Sequence, residues 1–293
     1  MAHEFDWVDA FTTHPFGGNA CMVVHGAQDL SIERRLALVN ETSLSECAYL
    51  VGSDVADFGV RYYVAHQEIL MAGHPTIATV TSLLDRGLVP MNGGRADFTL
   101  EVGAGVLPIQ VADGVITMTQ AAPVFGEMHD PAEIALLYGL SAADIVGVPQ
   151  IVSTGTPFCI AVLRDMDALR RARLDLTLLA AYHAVRGLGV DKAMEPFLVV
   201  REGETAAGDT FSRLLLPPPM PAEDPFTGSA TGCMAAYLWH HGLIENPAFV
   251  AEQGHWLGRP GSARVEVLGP REAPTGVKVG GQGVVLMRGE LAL

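Results

Sequence analysis

The chain is poor in charge and poor in cysteine. Only 17% of its 293 residues are Asp, Glu, Lys or Arg, and 33 acids outnumber 18 bases, for a formal net charge of −15. The bases form no cluster, which argues against nucleic acid or an anionic membrane as a partner. The acids are scattered as well, so they speak for solubility and for no particular ligand. The four cysteines, Cys21, Cys47, Cys159 and Cys233, lie far apart and make no CxxC. A disulfide framework and a thiolate metal site are both disfavoured. Histidines in HxxxH or HExxH spacing are missing, so no metal is expected. No apolar run approaches the roughly 18 residues of a membrane span. The N-terminus has no basic stretch leading into an apolar one. The expectation is a cytoplasmic protein with no membrane partner. A glycine fingerprint after a strand is also lacking, which counts against a Rossmann-type enzyme.

What is present is a globular composition, 49% hydrophobic. The length suits one large domain or two of ordinary size, each with ample core. Strands are expected at Phe5–Phe11, in "CMVVHG", "ECAYLVG" and "DFGVRYYVA", and near 96–102, 105–112 and 115–119. The segment "SIERRLALVNETS" has helical spacing, with Ser31 as its N-cap. "GHPTIATVTSLLDRGL" reads as a helix entered through glycine and closed by Gly87. After about residue 122 the plan restarts. "PAEIALLYGL" and "SAADIVG" read as short helical pieces, and "DLTLLAAYHAVRGL" as a longer helix. "AMEPFLVVRE" and "TFSRLLLP" read as strands, followed by a helix from Gly228 and terminal strands near 263–269, 276–279 and 283–292.

An overlay supports the restart. With an offset of 155 residues, Gly73-His74-Pro75-Thr76 falls on Gly228-Ser229-Ala230-Thr231, Leu83 on Leu238, and Gly87-Leu88 on Gly242-Leu243. Two α+β halves facing each other would aim two glycine-led helix N-termini at one cleft. Such ends carry unpaired N–H groups and partial positive charge, so together they form a cradle for an anion such as a carboxylate. Thr76, Thr227, Ser229 and Thr231 would add hydroxyl donors. Thr227 and Ser229 fit a simple helix cap equally well.

Three residues are candidates for chemistry. Glu46 stands at the start of an apolar strand, where partial burial would raise its pKa toward neutrality and suit it to proton transfer. A turn residue would read the same way. Glu41, five positions earlier, is expected to be exposed. His74, at the first helix start, could donate or relay a proton. Asp224, in Asp-Pro-Phe-Thr-Gly-Ser, could accept a proton, orient a substrate or cap its turn. His240 and His241, late in a helix, would complement its dipole as cations. His255 falls in a turn.

The segments "VDAFTTHPFGGNACMVV", "NETSLSECAYLV", "GHPTIAT", "STGTPF", "EDPFTGSATG" and "QGHWLGRPG" occur in that order. The set resembles the phenazine biosynthesis PhzF-like protein family, over about residues 5–292. The resemblance implies a diaminopimelate epimerase-like α+β fold: two similar domains, each a β-sheet wrapped around a central helix. It implies a first domain of residues 1–122 completed by a C-terminal strand at 281–293, and a second of residues 123–280. It further implies a cofactor-independent isomerase, with Glu46 as general acid/base and His74 and Asp224 beside it. Ser45, Gly73, Gly228 and Ser229 would hold a small carboxylate substrate, and the protein would be a homodimer. Related epimerases and racemases use two cysteines, one in each helix start. Here those places read Gly73-His74 and Gly228-Ser229. Cys47 would point away from Glu46, and Cys233 lies inside its helix, so a two-thiol mechanism is disfavoured. An epimerase or racemase of an amino or hydroxy acid remains open, as does a carboxylate-binding protein without catalysis.

Overall fold

The computed structural model describes residues 2–186, 196–218 and 220–292. The first half runs β1 (Ala2–Ala10), β2 (Asn19–Val24), α1 (Ile32–Thr42), β3 (Cys47–Val51), β4 (Phe58–Tyr63), β5 (Glu68–Ile69), α2 (Gly73–Asp85), β6 (Arg95–Val102), β7 (Gly105–Ala112) and β8 (Val115–Gln120). The rest runs β9 (Val124–Met128), α3 (Pro131–Leu137), β10 (Ile145–Ser153), β11 (Pro157–Leu163), α4 (Met166–Arg171), α5 (Leu176–Arg186), β12 (Pro196–Val200), β13 (Thr210–Leu215), β14 (Glu223–Asp224), α6 (Gly228–His240), β15 (Ala248–Gln253), β16 (Gly261–Leu268), β17 (Gly276–Gly281) and β18 (Gly283–Ala292).

Strand pairing repeats. β1 and β2 are antiparallel, β2 and β3 parallel, β3 and β4 antiparallel, β4 and β6 parallel, and β6, β7 and β8 antiparallel in turn. The order and sense recur in β10–β11, β11–β12, β12–β13, β13–β15 and β15–β16–β17. The short β5 on β4 is matched by β14 on β13. β8 pairs antiparallel with β17, which makes the sheet continuous, and β18 returns to pair along β1.

Each half wraps one helix. α2 packs on β1, β2, β3 and β18, and α6 packs on β10, β11, β16 and β17. Residues 73–83 and 228–238 are buried on every side, as a helix apolar all round must be. Each fully buried Ile, Val or Leu on it contributes about 1.5–3 kcal/mol. The threonines are tolerated because they bond back one turn: Thr79 donates to Pro75 O, Thr81 to Ile77 O and Thr231 to Thr227 O. Both helices end alike. Gly87 and Gly242 take left-handed φ of 68° and 65°, and the next N–H closes back on Leu83 O and Leu238 O, both at 2.9 Å. The expected α+β fold of two similar halves is borne out.

Some expectations need correction. "SAADIVG" is helical only over Ala142–Asp144, one turn of 3-10 helix. Ser141 and Asp144 cap each other around a single tight turn, and Ile145 then opens the strand β10. β-Branched Ile145 and Val146 favour extension over a second helical turn. β9, α4 and β15 were not anticipated. The Gly187-Leu188 stop of the expected helix "DLTLLAAYHAVRGL" and residues 193–195 of the next expected strand lie outside the described residues. His241 is not a dipole-complementing cation: burial, with His240 next to it, lowers its pKa.

Candidate active site

Two local features bring Glu46 inward. Ser31 caps α1, donated to by Arg34 N, and Ser43 ends it in a left-handed conformation, φ 54°. The chain turns there and delivers Ser45 and Glu46 to the start of β3. Cys47, the first residue of that strand, faces the separate cluster under α1 with Met22 and Tyr49. From the other half, β14 carries Asp224, and Thr227 leads into α6.

The starts of α2 and α6 abut. A Cβ on Gly73 would lie 2.6 Å from Ser229 N and 2.7 Å from Gly228 Cα. Gly73 is therefore required by the approach of one helix backbone to the other, and Gly228 by the Phe11 ring, which a Cβ there would meet at 2.7 Å. Neither helix start has a side-chain cap, and neither has an acid in its first turn. Thr227 is not a side-chain cap: no N–H of α6 donates to its hydroxyl, which donates to Asp224 Oδ2 at 2.5 Å and accepts from Gln253 Nε2 at 3.3 Å. Of the four hydroxyls expected to face a ligand, three are otherwise engaged: Thr76 donates to Ala72 O, Thr231 to Thr227 O and Thr227 to Asp224.

A chain of polar contacts crosses the junction. Glu46 Oε2 lies 3.8 Å from His74 Nδ1. His74 Nδ1 lies 3.2 Å from Asn19 Nδ2, which donates to Asp224 Oδ1 at 2.8 Å and to Phe226 O at 2.9 Å. The two hydrogens of this nitrogen serve three acceptors, so one is shared; since its delocalised lone pair cannot accept, the contact favours a His74 tautomer that accepts at Nδ1 and carries its proton on Nε2. Asp224 is further held through its backbone: Gln253 Nε2 donates to Asp224 O at 2.8 Å, and Thr227 N donates to Gln253 Oε1 at 3.0 Å. Asn19 and Gln253 were missed from sequence. The only local sign of Asn19 is the Gly-Gly-Asn that opens β2.

Burial sets the charges. His74 and Asp224 are 3% and 4% exposed. Glu46 keeps 21% of its side chain exposed, yet its Oε2 is buried. Burial, and then the Asp224 carboxylate, push the Glu46 pKa up to about 8. Burial pushes Asp224 up to about 6, against the opposing bonds from Thr227 and Asn19. Burial pushes His74 down to about 3. At pH 7 the junction thus holds a protonated Glu46, a mostly ionised Asp224 and a neutral histidine. Ser45 Oγ, Glu46 Oε2 and His74 Nε2 are buried and have no hydrogen-bond partner. Buried polar atoms seldom go unpaired without a reason. The surface groove lined by Arg164, Arg201, Thr210 and Phe249 shares no residue with this junction.

The family model for phenazine biosynthesis-like proteins matches residues 8–289. The chain belongs to that family. It is 31% identical over 318 aligned residues to the uncharacterized isomerase YddE of Salmonella typhimurium, covering 100% of this chain and 99% of that one. It is 28% identical to the trans-2,3-dihydro-3-hydroxyanthranilate isomerase of Pseudomonas fluorescens, covering 99% and 100%. Among solved structures, a PhzF-family protein of Bacillus anthracis superposes with a TM-score of 0.87 at 24% identity, over all of both chains. A hydroxyproline epimerase of Agrobacterium vitis has the same fold, with a TM-score of 0.67 at 14% identity over 100% of this chain and 93% of that one. These findings bear out the expected fold, and bear out an isomerase at the level of the family.

Ser45, Glu46, Gly73, His74, Asp224, Gly228 and Ser229, named from sequence, all lie at this junction of the family fold. All four cysteines are free and buried. Cys233 is pushed up to about 11 by burial, which makes it a poor base at neutral pH. Among the described residues no group of His, Cys, Asp and Glu could hold a metal ion, and no helix is long and apolar enough to cross a membrane. Asn19→Ala removes a bond that holds the Asp224 pKa down. The Asp224 carboxyl, followed by its 13C shift, is expected to titrate at higher pH in that variant. An unmoved titration would show that Asn19 does not tune Asp224.

Proposed function

We propose that the protein is a cofactor-independent isomerase that moves a proton from one carbon to another of a small carboxylate substrate. The observation that carries this reading is the approach of Glu46 Oε2 to within 3.8 Å of His74 Nδ1, with Glu46 Oε2 and His74 Nε2 both buried and unpartnered, beside two uncapped helix starts. The helix starts, with the Ser229 hydroxyl, take the substrate carboxylate. Glu46 in its ionised form is a strong base for a carboxylate, because its conjugate acid holds the proton up to about pH 8. A C–H bond breaks and Oε2 takes the proton while the electron pair shifts along the substrate. The same Oε2–H then breaks as a new C–H bond forms at the other end. Electrons and protons balance within the substrate, so no oxidant or reductant enters. His74, neutral and with its proton on Nε2, donates toward the charge that builds up between the two transfers. Asp224 keeps its own charge near Glu46 and so keeps that carboxyl basic.

The test is a panel of small cyclic and amino carboxylates, beginning with the compound named for the Pseudomonas fluorescens relative, followed by proton NMR. Conversion of one compound to a positional isomer is the expected result. Conversion only to a mirror-image form would replace the reading with an epimerase. Binding without conversion would replace it with a carboxylate-binding protein.

A further inference from the structure

The motif "QGHWLGRPG" lies outside the chemistry just described, yet one of its side chains reaches the loop before Asn19. Arg259 Nη2 donates to Asp9 Oδ1 at 2.6 Å and to Gly17 O at 2.9 Å, and its Nε donates to Gly18 O at 2.9 Å. Gly18 N in turn donates to Pro260 O at 2.9 Å. Both sides of Gly18 are therefore held by residues 259 and 260, more than 240 positions away in sequence. Asp9 is fully buried, and its other oxygen accepts from Phe16 N at 2.7 Å. The guanidinium thus meets one buried counter-charge and two carbonyls in a geometry that its planar fork matches.

The held loop is strained. Phe11 and Phe16 have φ of 63° and 68°, a region that bulky residues avoid, and Gly18 follows at 52°. A Cβ on Gly18 would lie 1.9 Å from Ala10 O. Such backbone persists only where the surroundings over-determine it. Here they do: Ser262 N donates to Phe11 O at 2.9 Å, the Phe11 ring stacks on Phe226 at 4.3 Å, and Arg259 closes the far end. The next residue is Asn19, whose one amide nitrogen serves His74, Asp224 and Phe226 together.

We infer that Arg259 is a positioning residue: by clamping Gly17 and Gly18 it aims the Asn19 amide, which in turn selects the His74 tautomer and orients Asp224. The importance of this for turnover rests on the proposed proton transfer. The geometric claim does not, and it is tested without substrate. The full chain is labelled with 15N-histidine, and His74 is identified by comparison with His74→Gln. Wild type is expected to show His74 as one neutral tautomer with the proton on Nε2. In Arg259→Met the two ring nitrogens are expected to move toward each other as the tautomers mix, and Asn19→Ala is expected to give the same change. Arg259→Lys keeps a charge beside Asp9 but loses the paired carbonyl bonds, so it should move the same way by less. If the Met variant does not fold, the Lys variant carries the test. Wild-type His74 shifts in a folded Arg259 variant would overturn the inference. On a substrate that wild type converts, the Met variant should lose kcat by about 10–100-fold with KM little changed. If Glu46 proves dispensable while the tautomer still depends on Arg259, the proposed function fails and the clamp stands.

Discussion

Glu46→Gln lowers turnover by about 10²–10⁴-fold, the range a positioned acid/base contributes, and at the same time makes the folded protein more stable at neutral pH. The two effects share one cause. The folded state holds the Glu46 proton up to about pH 8, whereas the free side chain lets it go near 4.5. Between those values the folded protein binds more protons than the unfolded chain, so stability falls as pH rises through that window and stays reduced above it. At pH 7 the penalty is on the order of 3 kcal/mol. Glutamine has a similar shape and no charge, so it removes the penalty along with the base. Thermal unfolding of the two proteins at pH 5 and pH 8 checks this: the gap in Tm should widen toward pH 8. An equal Tm at pH 8, or a gap that closes, would mean that Glu46 is not held in an unfavourable site.

Gly73→Ala is the second large effect, and it bears on the proposed substrate cradle. The new methyl would meet Ser229 N and the Gly228 backbone at 2.6–2.7 Å. Those atoms belong to a buried helix of the other half and cannot swing aside as a side chain could. Overpacking of cores costs about 1–3 kcal/mol, and backbone against backbone belongs at the upper end. Chemical denaturation should show a loss of about 3 kcal/mol, and carboxylate binding should weaken as the two helix starts are pushed apart. Gly52→Ala is the control: its methyl would meet nothing within 4 Å, so the change should stay within about 0.5 kcal/mol. Equal effects at the two positions would show that the helix junction is not close-packed.

The parts of this architecture that sequence revealed are those written locally. Each central helix declares itself through a glycine start, an apolar run and a Gly-Leu stop, and all three are set within about one turn of the residue concerned. Glu46 in front of an apolar strand reads equally as a turn residue, and the resemblance of its segment to the family singles it out. Distance hid the rest. Asn19 meets Asp224 across 205 positions, and no local pattern marks such a meeting. β9 is mostly exposed and β15 mixes intermediate and buried positions without alternation, so neither carries the period of a half-buried strand. The expected threonine donors failed for a different reason. Thr76 and Thr231, in the first turns of buried helices, satisfy their hydroxyls on the preceding turn, and Thr227 satisfies its own on Asp224; in sequence these look the same as hydroxyls facing a ligand.

Solvent deuterium incorporation tests the proton transfer most directly. Wild type and Glu46→Gln are incubated in D2O with the carboxylate panel, and mass and position of label are read. Uptake of deuterium at a carbon of one compound by wild type, and its loss in Glu46→Gln, is the result predicted by a carboxyl that takes a proton and exchanges it before returning it. Full uptake in Glu46→Gln on a compound that wild type labels would contradict it, and would move the acid/base role to another residue of the junction.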